Sequence, residues 1–325
     1  MRLPALLPCS LTLLLTLACG ESPTSRAIRE VANRVPDAGV VLPAPPTATL
    51  LASGQNVPRN LIADEGYLYW LNEGLKAEGK PGIFRVAKSG GKVETVWDGK
   101  GVEGIAIANG SVYAIVPREE KVLRIPKAGG KAEVVIADHP GLSAIVADEQ
   151  YVYWTSEEGI VRVPHTGGAP KAVVTGLSPP MGLSLDRGKL YWYSVIDGKV
   201  MGAPGSGGTP RRLVQPELTL HGYFAHDGDL FWALGSQGKV EIRRATGSGA
   251  GIATVATGQA IPVEFAADGS NVYWTTGDAV MKAPRAGGAA SAVVKGTDRS
   301  ISVALDERNV YWTDRGGRIQ KVAKN

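Results

Sequence analysis

Residues 142–175 read LSAIVADEQYVYWTSEEGIVRVPHTGGAPKAVVT, and four strands follow one another in that stretch. Leu142 to Ala147 is apolar, Asp148-Glu149-Gln150 turns the chain, and Tyr151 to Thr155 is rich in the aromatic and β-branched residues that fit a pleated surface. Ile160 to Pro164 forms a third strand after Gly159. The hairpin Thr166-Gly167-Gly168 leads into a fourth, Pro170 to Thr175, its glycines supplying the positive dihedrals of a tight turn.

The unit recurs. Its aromatic pair returns as Tyr69-Trp70, Tyr153-Trp154, Tyr191-Trp192, Phe231-Trp232, Tyr273-Trp274 and Tyr311-Trp312, with Tyr113-Ala114 as a degenerate second copy, at intervals of 44, 40, 38, 40, 42 and 38 residues. A four-stranded sheet repeated at that period buries both faces only against neighbours on either side, which predicts an all-β, seven-bladed β-propeller of antiparallel blades. The last copy stops after its third strand, while Ala48 to Gly54 matches a fourth strand and precedes the first copy. The amino-terminal strand is therefore expected to pair with the last blade and close the ring, leaving few free edges.

The chain of 325 residues begins with Met1-Arg2, a short apolar run from Leu11 to Ala18, and Cys19, a secretory-signal pattern too short to span a bilayer. Thr16-Leu17-Ala18-Cys19 resembles the lipobox of bacterial lipoproteins. That resemblance implies a signal peptide over 1–18, lipidation of Cys19 and a bacterial envelope location, with Gly20 favouring the outer membrane; an ordinary secreted or periplasmic product is the alternative. Residues 19–46 read as a Pro-rich tether and 47–325 as the propeller. The chain has only two cysteines, Cys9 and Cys19, so the exported domain is held by its core rather than by disulfides.

Tyr311-Trp312-Thr313-Asp314 spells the repeat of the YWTD propellers of the low-density-lipoprotein receptor family, and Tyr153-Trp154-Thr155 and Tyr273-Trp274-Thr275 are similar to it. The resemblance implies four-stranded blades with Tyr and Trp packed between them, and inter-blade hydrogen bonds from Asp314. It departs in two respects: those receptors have six blades, and six of the seven copies here lack the Asp. The chain also looks like propeller lipoproteins of bacterial envelopes, which implies a scaffolding role.

The seven turn residues Asp64, Asn109, Asp148, Asp186, Asp227, Asp268 and Asp306 are read as structural, since Asp and Asn satisfy local backbone donors. Counting back six and four residues from them places Asn60, Glu103, His221, Tyr223, Glu264 and Ser302, flanked by Arg59 and Arg299, at the mouth where the innermost strands begin, the default binding site. The expectation is a non-enzymatic binding or scaffold protein, without cofactor, that holds a protein, peptide or glycan there. Seven-bladed lyases and lactonases of similar architecture imply a rival in which His221, Glu264 and Glu103 converge on a metal or act as acid and base. A third reading is an architectural subunit of an envelope assembly. At the opposite mouth Arg85, Arg124, Arg162, Lys282 and Lys321, with hairpin residues such as Lys88 and Lys127, form a basic rim. It either meets an acidic partner or shields strand edges. Nucleic acid is not expected as a partner of an exported protein with a net charge of only +4 and no aromatic-basic interleaving on a loop. Trp97, outside the repeat, is either an exposed partner contact or packed under the loop from Lys76 to Lys80.

Overall fold

The computed structural model describes residues 47–324, apart from 74–79, 178, 179 and 237. The signal, Cys19 and the tether lie outside these residues, as does most of the loop expected to cover Trp97. Seven four-stranded antiparallel sheets follow in chain order: blade 1 over 58–97, blade 2 over 104–136, blade 3 over 145–175, blade 4 over 180–214, blade 5 over 220–259, blade 6 over 265–295 and blade 7 over 300–323. Blade 7 takes its outer strand from Thr49–Ala52, with Thr49 opposite Lys321 and Ala52 opposite Ile319. The ring closes as the sequence predicts. No helix among the described residues is long and apolar enough to cross a membrane.

The aromatic pair works because side chains alternate across a strand. In every core cluster the Tyr or Phe of one blade meets the Trp position of the next: Tyr113 with Trp154, Tyr153 with Trp192, Tyr191 with Trp232, Phe231 with Trp274, Tyr273 with Trp312, and Tyr311 with Trp70 across the closure. Tyr69 meets Ala114 instead, and Trp97 packs into that same cluster, its ring lying where a Cβ on Gly99 would go. Half-buried there, Trp97 is a packing residue rather than an exposed contact.

The threonine of the motif makes the inter-blade bond expected of its Asp. Thr313 Oγ1 accepts the N–H of Ser302 at 3.2 Å and donates to Pro58 O of blade 1 at 2.7 Å. Thr275 Oγ1 likewise accepts from Glu264 N and donates to Ile301 O. Asp314 is fully buried, but its bonds come from Arg318 N, Arg318 Nε and Gln320 Nε2, all within blade 7. The reason is geometric. The threonine stands beside the inner-strand bulge that faces the next blade, whereas Asp314 caps the hairpin of its own.

The basic rim is largely consumed in holding blades together. Arg85, Arg124, Arg162 and Lys321 donate to the backbone oxygens of Lys127, His165, Gly205 and Lys88, each in the next blade. Lys127, Lys88 and Lys324 in turn reach back to the turn carboxylates Asp64, Asp306 and Asp268 of the preceding blade at 3.0, 3.1 and 2.8 Å. Where the turn residue is the neutral Asn109, the matching position is His165, whose Nε2 donates to Asp148 O while Nδ1 accepts from the Tyr113 hydroxyl. Five of the turn aspartates also take two backbone N–H groups each: Asp64, Asp148, Asp268 and Asp306 within their own turns, as at Asp64 from Gly66 and Tyr67, and Asp186 from Asp227 and Gly228 of the next blade. They are structural, as expected, and the hairpin mouth is the sealing face of the ring.

Candidate functional site at the open mouth

The other mouth is built by loops entering each inner strand and by loops between second and third strands. On blades 7 and 1 it is charged. Arg59 opens the inner strand of blade 1, its Nε 2.8 Å from Glu73 Oε1 and its Nη1 donating to Glu103 O. Arg59, Glu73, Arg299 and Arg315 line one cavity of about 500 Å³, with Val57, Val263 and Ile301 on its walls. Arg59, Glu73 and Glu103 line a second, of about 430 Å³, beside Lys100 and Arg118. Val57 and Arg299 both hold positive φ, 52° and 54°, unfavourable for a β-branched or long side chain and stored here on the walls of one cavity. Asn60, φ 51°, occupies the inner-strand bulge of blade 1, a conformation its short amide tolerates.

On the channel wall, Glu264 of blade 6 adjoins Ser302 of blade 7. Burial pushes the Glu264 carboxyl up to about 7, while the Ser302 hydroxyl and the Val303 amide hold it back. At that value it can accept or release a proton near neutrality. His221 is committed within its own blade, Nε2 donating to Gly235 O at 2.7 Å. The Tyr223 hydroxyl donates to Met181 O of blade 4, and burial raises its pKa. Of the eight expected mouth residues, the structure thus gathers Arg59 with Glu103 and Arg299, and Glu264 with Ser302; His221, Tyr223 and Asn60 serve local structure. Among the described residues no three His, Cys, Asp or Glu side chains stand together as metal ligands. The convergence of His221, Glu264 and Glu103 required by the metal reading is not formed, because His221 is turned to Gly235.

The remaining part of the mouth carries exposed apolar side chains among charged ones such as Glu158, Asp197 and Glu217, which the residue count from the turns does not reveal. Met181, Val195 and Ile196 on blade 4, Leu218 entering blade 5, and Ile261 and Val263 entering blade 6 are all exposed, Ile196 at 78%. The other large exposed apolar side chains among the described residues are scattered: Leu50 and Val134 on outer strands, Ile252 on a hairpin at the sealing face. Single exposed apolar residues are ordinary, but six on three consecutive blades toward one mouth depart from that scatter. A legible signal existed in Val195-Ile196-Asp197-Gly198, an apolar pair in a turn slot where polar residues are usual.

No protein-family model and no curated protein sequence matches the chain. Solved structures do. Virginiamycin B lyase from Staphylococcus aureus aligns with a TM-score of 0.67 at 18% identity, over 86% of this chain and 99% of the lyase. YCF48, in a structure bound to D1 peptide, aligns with a TM-score of 0.67 at 12% identity, over 87% and 98% of the two chains. A chain of the nidogen/laminin complex is 22% identical over 60% of this chain, but its TM-score of 0.47 is too low to argue from. At these identities the likeness is one of fold.

Proposed function

We propose that this propeller is a binding protein that receives a protein or peptide segment at its open mouth, with the exposed apolar residues of blades 4 to 6 as the contact surface. The observation that carries this reading is the division of labour between the mouths: at one, cations and carboxylates are spent between blades, and at the other, six large apolar side chains face solvent. Aliphatic side chains without an exposed aromatic platform suit the apolar side chains of a polypeptide better than a hydroxyl-covered glycan. The structure of YCF48 bound to D1 peptide, on a similar architecture, supports this reading. A hydrolase or lyase reading would rest on Glu264, the one raised carboxyl described at the mouth.

The mature chain would be held to an envelope membrane by acyl chains on Cys19. Incorporation of a labelled fatty acid that survives in wild type and vanishes in Cys19→Ala tests the anchor. Affinity capture from envelope extract tests the mouth. A partner retained by the full-length wild type and by Val134→Asp should be lost when Ile196→Asp and Leu218→Asp are combined; retention by that double variant would refute the assignment.

A further inference from the structure

The mouth changes character at one point. Val263, at the end of the apolar series, is also a wall of the cavity that holds Arg59, Arg299 and Arg315 against a single carboxylate, Glu73. Arg59 is already paired with Glu73, and Arg315 has a partner within the chain. The exposed guanidinium of Arg299 has no hydrogen bond or ion pair among the described residues. Its backbone adopts φ 54°, a conformation long side chains avoid, and the N–H of Arg315 donates to its carbonyl at 3.3 Å, fixing it beside the second–third-strand loop of blade 7. The cavity therefore carries an excess of positive charge, a guanidinium with unused donors, and an apolar lip continuous with the contact surface.

Resting on the proposed mouth reading, we infer that the partner segment is acidic as well as apolar: a side-chain carboxylate enters the cavity beside Arg299 while neighbouring apolar side chains lie along Val263, Ile261 and Leu218. A guanidinium presents a fork of donors that matches a carboxylate, and Arg59 adds long-range attraction although its own carboxylate partner is in place. A basic segment would meet three arginines and be repelled. A purely apolar one would leave the arginines facing an occluded, partly dehydrated interface, which is unfavourable.

The test is selection of a random dodecapeptide display library against the full-length chain, followed by fluorescence anisotropy on the selected peptides. Enrichment of Asp or Glu next to two or more apolar residues is expected. On such a peptide, Asp→Asn should weaken binding to wild type about tenfold and more at low salt, but hardly affect binding to Arg299→Glu. Arg299→Gly, which relieves the backbone strain while removing the cation, should reproduce the loss with a melting temperature no lower than that of wild type. Selection of apolar peptides with no acidic preference, still sensitive to Ile196→Asp and Leu218→Asp, would overturn the acidic inference and leave the mouth reading standing. Peptides insensitive to every mouth variant would sink both. An equal loss from Asp→Asn on wild type and on Arg299→Glu would show that the carboxylate lies elsewhere.

Discussion

Replacing Asp268 by Asn should cost stability in a pH-dependent way that isolates one clamp between blades 6 and 7. Asp268 Oδ1 accepts the N–H groups of Ser270 and Asn271 at 2.9 and 2.8 Å, and Oδ2 accepts the Tyr273 hydroxyl at 3.2 Å and Lys324 Nζ at 2.8 Å. Burial raises the pKa of this carboxyl, but Lys324 and the two amides outweigh it and bring the value to about 2. Against the ordinary 3.8, that corresponds to about 2 kcal/mol, which partial exposure of the pair reduces to about 1–2 kcal/mol. A depressed carboxyl pKa contributes stability above the unfolded value, and the contribution is lost as pH falls through the folded one. Asn keeps an acceptor for the two amides, so the loss reports the charge. Urea unfolding at pH 7 should show Asp268→Asn destabilised by this amount, with a melting temperature lower by about 2–4 °C, and the gap should shrink between pH 4 and pH 2. Lys324→Met in a double-mutant cycle should recover at least about 0.5 kcal/mol as coupling. A gap that is equal at pH 7 and pH 2, or a cycle with no coupling, would refute the clamp.

Thr313→Val removes the hydroxyl that serves Ser302 N and Pro58 O, both buried, and should cost about 1–3 kcal/mol in urea unfolding, more than Thr297→Val at a partly exposed site. Leu51→Ala, in the core of the clasp, should cost about 2–4 kcal/mol and speed proteolysis near the amino-terminal strand. Glu264→Gln should have the opposite pH sign to Asp268→Asn. A carboxyl raised to about 7 favours the fold below its unfolded pKa of 4.5 and loses that advantage as pH rises through 7. Unfolding at pH 8 should therefore find Glu264→Gln more stable than wild type by up to about 3 kcal/mol, less to the extent that channel water screens the charge, with little difference at pH 4.

The repeat was legible because its cause is local: a Tyr and a Trp on opposite faces of one strand recur wherever one strand must meet two neighbours. The clasp was legible for the same reason, since Ala48 to Gly54 carries a fourth-strand pattern with no blade before it. Pairings across blades were not. Lys127 and Asp64 are both visible in the sequence, but their meeting depends on the angle between adjacent sheets, so cations read as a rim proved to be clamps. The coincidence of an Asn at 109 with a His at 165, where other blades have Asp and Lys, was a readable trace of that pairing. The mouth was half legible. Counting from the turns reached Arg59 and Arg299, which line one cavity, and the neighbouring pair Glu264 and Ser302, but it passed over Ile196 and Leu218, because being left uncovered is a property that only the closed ring defines.

Site-specific photo-crosslinking in the native cell addresses the division between a binding mouth and a sealing mouth most directly. A benzophenone amino acid placed at Ile196, Leu218 or Val263 should give a discrete adduct with a protein partner. The same group at Val134 on the circumference, or at Ile252 on the hairpin mouth, should give none. Adducts at 134 or 252 with none at the three mouth positions would contradict it.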